Sequence, residues 1–244
     1  MEKKKERLDK LVQEKFSHLT RNQIQSFIMQ GKVKVDGQVK TKAGEATDIL
    51  KEIALDVNQP RYVCRAGNKL EGALNHFNVD VKNKVILDAG LSTGGFTDCL
   101  LQFGAKRVYG VDVGYGQVHE KIRTHPQVEV LERTNLRHLR TVGELVDIIT
   151  LDLSFISVLK VMDAVKNLLK PGGSLLVLVK PQFEARREQV GRGGLIKDGK
   201  IHEEVIQKVV TGITEQGFSF CGVTDSPITG ATGNKEFLAL FEKD

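Results

Sequence analysis

Four charged side chains each close an apolar run. Asp88 follows Val85-Ile86-Leu87, Asp112 follows Val108-Tyr109-Gly110-Val111, Asp152 follows Ile148-Ile149-Thr150-Leu151, and Lys180 follows Leu175–Val179. Short apolar runs of this kind read as buried strands. In an open α/β sheet the ligand crevice lies outside the carboxyl ends of the strands. A single charged residue at a strand end is common and harmless; three acids and one base in one chain point to a site.

The chemistry of that site is narrowed by the turn after Asp88, Gly90-Leu91-Ser92-Thr93-Gly94-Gly95, which leads through Phe96 into a helix. The turn does not fit GxGxxG and carries no GK[ST], which disfavours a pyrophosphate cofactor such as NAD and excludes a Walker-type phosphate loop. Its glycines still let a ligand approach the backbone, because they carry no Cβ. Asp112 follows Asp88 by 24 residues and ends the second strand, the place for a carboxylate that binds ribose hydroxyls. A ribose-bearing cofactor without pyrophosphate fits S-adenosylmethionine. The expected cradle is Gly90, Ser92, Thr93, Gly94, Gly95 and Phe96. Asp88 either supports this turn or faces the methionine end of the cofactor, and Asn135, after the third strand, is placed to meet the adenine edge.

These residues need a scaffold. Strands are expected at 84–88, 107–112, 128–131, 146–152, 174–180, 218–224 and 237–242, with helices at about 95–102, 116–122, 156–169 and 201–216. Such alternation means an α/β, Rossmann-like fold with a mostly parallel seven-stranded sheet covered on both faces. Pro171-Gly172-Gly173 reads as a turn between a helix and a buried strand. A further helix precedes the sheet, with Leu70, Leu74 and Phe77 on one stripe. Lys69 sits beside that stripe, and its position alone reads as a solvated surface lysine.

The N-terminal part is built differently. Residues 1–43 hold eleven Lys and Arg against five Asp and Glu, whereas residues 76–244 hold 21 of each. The basic excess behind the net charge of +5 therefore belongs to this part, as in a phosphate-binding module or a Lys-rich solvated surface. Leu8, Leu11 and Val12 have helical spacing. Thr20 and Gln23 form a capping-box pattern ahead of Ile24, Phe27 and Ile28, and Gly31 is a stop. Lys32-Val33-Lys34-Val35-Asp36-Gly37-Gln38-Val39-Lys40 alternates around Asp-Gly, a hairpin signal. Short β-like pieces fill 45–57, and Asn58-Gln59-Pro60 marks a boundary.

With Arg7-Leu8-Asp9-Lys10-Leu11-Val12, then Thr20 through Ile28, then Gly31 through Gly37, this stretch resembles an S4 RNA-binding domain, a small α+β module. The resemblance implies RNA contact through Arg7, Arg21, Gln25, Lys32 and Lys34; Arg65, ahead of the large domain, is added to that set. The expected division is an S4-like domain at 1–58, a linker at 59–67 and the large domain at 68–244.

A second resemblance covers 61–244. It rests on Arg65-Ala66-Gly67-Asn68-Lys69-Leu70, Leu87 through Asp98, Val111-Asp112-Val113-Gly114-Tyr115-Gly116-Gln117 and Glu132-Arg133-Thr134-Asn135-Leu136-Arg137. It continues through Asp152-Leu153-Ser154-Phe155-Ile156-Ser157, Val179-Lys180-Pro181-Gln182-Phe183-Glu184 and Gly233-Asn234-Lys235-Glu236-Phe237. These resemble the FtsJ/RrmJ-type ribose 2′-O-methyltransferases, a class I methyltransferase fold. The whole chain resembles the TlyA family of rRNA 2′-O-methyltransferases, often labelled haemolysin. The resemblance implies a catalytic tetrad of Lys69, Asp152, Lys180 and Glu236, S-adenosylmethionine as cofactor, and ribosomal RNA or ribosomal subunits as partner, with cytidine the modified nucleotide. It implies that Lys180 lowers the hold of a ribose 2′-hydroxyl on its proton or accepts it, with in-line attack on the methyl carbon. Ala66, Ala89 and Leu91 depart from the family pattern, and Leu91 is expected to crowd the cofactor turn slightly.

Other function classes are weakened by the composition. Cys64, Cys99 and Cys221 are odd in number and form no CxxC pair, which fits a reducing cytoplasm and argues against a disulfide framework or a structural zinc. No metal is expected. No run approaches the roughly 18 apolar residues of a membrane helix, so a membrane-lytic haemolysin is the weaker alternative. A catalytically silent RNA-binding or ribosome-assembly factor is a third reading, and the intact tetrad argues against it. The chain is expected to be a monomer. The basic, glycine-containing stretch 182–200 reads as a flexible loop that could close over RNA.

Overall fold

A computed structural model describes residues 4–17, 19–56 and 60–244. The chain divides into two compact units, residues 1–59 and residues 60–244. The boundary residues Asn58 and Gln59 lie outside the described residues.

In the first unit the order is β1 (Lys5–Arg7), α1 (Leu8–Lys15), α2 (Arg21–Met29), β2 (Val33–Val35), β3 (Gln38–Lys40), β4 (Ala46–Asp48) and β5 (Ile53–Leu55). The capping box forms as its residue types require. Thr20 N donates to Gln23 Oε1 at 2.8 Å, and Gln23 N donates to Thr20 Oγ1 at 3.3 Å. Helix α2 ends at Gly31, φ +70°, where Lys32 N reaches Phe27 O and Gly31 N reaches Ile28 O, a Schellman closure. Asp36 and Gly37 both have positive φ (49° and 78°), the requirement of the two-residue turn that joins β2 to β3. Strand β2 pairs with both β3 and β5, and β1 pairs with β4. Leu8, Val12, Ile24, Ile28 and Val33 have no exposed surface and make the core of this small unit.

The second unit begins with α3 (Ala66–Phe77), β6 (Val85–Ala89), α4 (Gly95–Gln102), β7 (Arg107–Val111), the short α5 (Glu120–Arg123) and β8 (Val128–Leu131). It continues with β9 (Val146–Leu151), α6 (Met162–Leu168), β10 (Leu169–Val179), the single turn α7 (Pro181–Glu184), α8 (Gly199–Thr214), β11 (Phe218–Asp225) and β12 (Phe237–Lys243). The seven strands make one sheet in the order β11-β12-β10-β9-β6-β7-β8, with β6 to β10 parallel and β12 antiparallel to both neighbours. The expected mostly parallel α/β sheet is present. Leu175–Val179 are each at most 1% exposed. Burial of such side chains contributes roughly 1.5–3 kcal/mol each.

Several elements differ from the sequence expectation. The helix expected at 116–122 is reduced to α5, because Gly114 N and Gly116 N are held by the carboxylates of Asp112 and Glu132 at 2.7 Å instead of entering a helix. The helix expected at 156–169 begins as a 3₁₀ turn, 158–161, before α6. Pro171-Gly172-Gly173 is carried within β10 as an irregularity between Leu169 and Ser174. Residues 60–65, expected as connection, pack into the second unit. Tyr62 is 2% exposed, and Val63 N donates to Asp98 Oδ2 at 2.8 Å.

Candidate active site

The sheet order reverses at β6. Strands β7 and β8 follow on one side, and β9 returns on the other. This is the switch point at which open α/β sheets bind ligands. A cavity of about 490 Å³ opens there, lined by residues that include Gly90, Ser92, Asp112, Gln117, Asn135 and Asp152. Asp152 N donates to Ala89 O at 2.9 Å, which continues the β6–β9 ladder by one residue. A Cβ on Gly90 would lie 2.3 Å from Asp152 O. The close approach of these two strand ends therefore needs glycine at 90.

Asp112 is fixed as a platform. Its Oδ2 accepts from Ser92 N and its Oδ1 from Gly114 N, both at 2.7 Å. Each oxygen keeps capacity for a second donor on the cavity side. Asn135 also lines the cavity, while its Oδ1 accepts from Arg137 N at 3.0 Å. Gly90, Ser92, Asp112 and Asn135 are thus brought together. Thr93, Gly94, Gly95 and Phe96 do not line the cavity. Gly94 packs on Ile122 and Gly95 on Cys64 and Gly67, while Phe96 is 3% exposed in an apolar cluster with Tyr62 and Leu70. Leu91, expected to crowd the turn, points elsewhere: it is 2% exposed and clusters with Val118 and Ile122.

Asp88 is structural in its contacts. It is fully buried and accepts from Thr97 Oγ1 at 2.7 Å and Thr150 Oγ1 at 2.9 Å. It thereby ties β6 to α4 and β9. Burial pushes its carboxyl up to about 6, the Asp152 charge adds to the shift, and the two hydroxyls oppose it.

Two acid–base pairs stand at the same edge of the sheet. Lys69 is 7% exposed, not a solvated surface lysine, and its Nζ lies 2.5 Å from Glu236 Oε2. Helix α3 turns it inward, toward the start of β12. Lys180 Nζ lies 2.6 Å from Asp152 Oδ1 and 3.0 Å from Ser154 Oγ. No donor is aligned on the buried Asp152 Oδ1, so its contact with Lys180 is an ion pair rather than a directed hydrogen bond. Val179 pairs with Phe237 across the antiparallel β10 and β12, so Lys180 and Glu236 stand opposite each other one position beyond that rung.

Sequence reasoning missed three residues of this edge. Ser154 holds Lys180. Glu184 is 3% exposed and accepts from Ser157 Oγ and Val158 N. Asn234 is 1% exposed; it accepts from Ile196 N and donates to Gly194 O. The last two pin the stretch 182–200, which the sequence suggested as a flexible loop. The signal for Glu184 and Asn234 was their place in the same runs as Lys180 and Glu236.

In the first unit, Arg7, Arg21 and Gln25 converge on one buried acid. Asp9 accepts from Arg7 Nε at 3.0 Å, Arg7 Nη2 at 2.8 Å and Gln25 Nε2 at 3.2 Å, with Arg21 Nη2 at 3.6 Å. The Arg7 guanidinium holds that carboxyl far below its usual range. Lys34 lies 3.3 Å from Asp56 Oδ2, and Lys32 lies over the Phe27 ring. Arg65 belongs to the second unit, exposed at the head of α3.

The sheet order and its switch-point cavity define a methyltransferase fold. The chain belongs to the FtsJ-like methyltransferase family, whose model matches residues 62–243, and an S4 domain matches residues 6–46. It is 44% identical to YqxC of Bacillus subtilis, over 98% of this chain and 86% of that one. It is 39% identical to TlyA of Mycobacterium tuberculosis, a 16S/23S rRNA (cytidine-2′-O)-methyltransferase, over 90% of this chain and 83% of that one. A solved structure from Streptococcus thermophilus that carries the name hemolysin superposes with a TM-score of 0.75 at 41% identity, over 99% of this chain and 90% of that one. Among the described residues no helix is long and apolar enough to cross a membrane.

Proposed function

We propose that this chain is an S-adenosylmethionine-dependent ribosomal RNA methyltransferase that acts on a ribose 2′-hydroxyl, of cytidine. The observation that carries the reading is the pair of nearly buried acid–base contacts, Lys180–Asp152 and Lys69–Glu236, at the cavity's edge of the sheet. The RNA substrate and the choice of cytidine are supported by the S4 domain and by the named activity of the M. tuberculosis relative.

The residues present fit the cofactor. A cavity of about 490 Å³ is within the usual range for a small-molecule site. Asp112, immobilised by two backbone N–H groups, suits a ribose diol, and Asn135 suits an adenine edge. When bound, S-adenosylmethionine supplies an electrophilic methyl group on a cationic sulfur. Lys180, as the ammonium partner of Asp152, would meet the 2′-hydroxyl and polarise it by donating to its oxygen; it would take the hydroxyl proton only after releasing one of its own to solvent. Asp152 and Ser154 hold Lys180 in place. Lys69 and Glu236 neutralise each other and keep a second lysine from adding free charge. Most of the rate gain then comes from positioning. Arg7, Arg21, Gln25, Lys32 and Lys34, with Arg65, carry the RNA.

The test is transfer of labelled methyl from S-adenosylmethionine to purified ribosomal subunits and to naked rRNA, followed by nucleoside analysis. The expected product is 2′-O-methylcytidine. Label on a base, or no label with any rRNA substrate, would refute the reading.

A further inference from the structure

We propose that Glu184 is a positioning residue for the transfer, because its buried carboxylate ties the loop that carries Asp152 and Ser154 to the segment that carries Lys180. The inference rests on the function proposed above and extends it to a residue that touches neither cofactor nor substrate. Lys180 ends β10, and Pro181 opens the single turn α7, in which Phe183 N returns to Lys180 O at 2.9 Å. Glu184 closes that turn and points into the protein. Its Oε2 accepts from Ser157 Oγ and its Oε1 from Val158 N, each at 2.7 Å. Ser157 and Val158 end the loop that starts at Asp152.

The two segments therefore meet twice. At the site, Lys180 touches Asp152 and Ser154. A few residues behind, Glu184 holds Ser157 and Val158. The second meeting is drier. Glu184 is 3% exposed, whereas Ser154 is exposed. The Phe155 and Phe183 rings also touch across the two segments, with centroids 5.1 Å apart. Lys208 of α8 donates to Glu184 O at 2.6 Å and so fixes the turn from its outer side. Hydrogen bonds to an ionised acceptor are about twice as strong as neutral ones. Burial raises the Glu184 carboxyl above its ordinary value, and the two donors counter this. The alternative role is local: Glu184 satisfies the N-terminus of the 3₁₀ turn 158–161 and nothing more.

The two roles separate in one set of variants of the full chain: Glu184→Ala, Glu184→Gln and Ser157→Ala. Three quantities are read on each: the single-turnover methyl-transfer rate at saturating cofactor and rRNA, the cofactor dissociation constant, and the rate at which a small acylating reagent modifies Lys180, by peptide mass. A positioning role predicts a rate about 10- to 100-fold lower in Glu184→Ala, with cofactor affinity within about threefold. It also predicts faster acylation of Lys180, released from Asp152 and Ser154. Glu184→Gln keeps an acceptor for Val158 N–H and recovers part of the rate. Ser157→Ala removes one tether and loses less than Glu184→Ala; it also keeps the test open if Glu184→Ala does not fold. A lower melting temperature with unchanged single-turnover rate and unchanged Lys180 acylation in the folded variants overturns the proposal. Lys180→Ala is the control. If it turns over like the wild type, the active-site reading fails, while the acylation rates still decide whether Glu184 holds Lys180 in place.

Discussion

In the first unit one buried acid, Asp9, gathers two arginines and a glutamine, and the Arg7 and Arg21 side chains keep 48% and 58% of their surface exposed. In the second unit Lys69 and Lys180 each meet an acid of their own, and their side chains keep only 8% and 11%. Charges in solvent are screened within about 8–10 Å at ordinary salt. They attract a polyanion, and salt displaces it. Charges held close in a drier setting act on their neighbours more strongly. The first arrangement suits binding and the second suits chemistry, although both are built from a base beside an acid.

The sharpest way to break this contrast is Lys180→Ala. Methyl transfer should fall about a thousandfold or more, with cofactor binding retained in a titration; near wild-type turnover would remove Lys180 from the chemistry. The Lys69–Glu236 pair comes next. Removing one partner of a buried pair costs about 3–5 kcal/mol, so Lys69→Met should lower unfolding stability by that order. Lys69→Met with Glu236→Leu should recover most of it, although without activity. A Lys69→Met protein as stable as wild type would mean the pair is effectively solvated.

Asp88 gives a smaller effect that depends on pH. Its carboxyl is raised from 3.8 to about 6 in the folded chain. Between these values the native state holds more protons than the unfolded one, so this residue's contribution to stability falls as pH rises through about 4 to 6. The loss is on the order of 2–3 kcal/mol. Asp88→Asn should abolish that component, read as the wild-type-minus-variant difference in denaturant unfolding at pH 4.5 and 7.5. A difference that does not change with pH contradicts it. Smallest is Arg21→Ala, which should weaken RNA binding by about 1 kcal/mol and reduce the salt slope by about one unit. An unchanged slope would leave Arg21 as a partner of Asp9 alone.

Much of this architecture is legible in the sequence, because periodicity and turn chemistry are local. Thr20 with Gln23, Asp36-Gly37 and the apolar run 175–179 announce their own structure. Asp112 and Gly90 are legible because strand ends converge in any parallel sheet. What the sequence hides is direction. Lys69 reads as a surface residue on its helical stripe, and only the packing of α3 turns it toward Glu236, 167 residues later. Phe96 and Leu91 sit in the cofactor turn by number but face apolar clusters. Nothing in the run Arg7–Val12 marks Asp9 as buried, yet it is the hub for Arg7, Arg21 and Gln25. Glu184 falls in the stretch 182–200 that reads as a flexible loop, and is instead a buried tether.

Direction of a methyl group to a ribose hydroxyl by the nearly buried lysine beside Asp152 is the step on which the proposed function turns. It is tested most directly by mapping 2′-O-methyl positions across the rRNA of cells that carry the wild-type chain, the Lys180→Ala chain, or neither. At least one 2′-O-methylcytidine should be present with the wild type and missing in both other strains. Identical maps in all three, or a mark that survives Lys180→Ala, would contradict it.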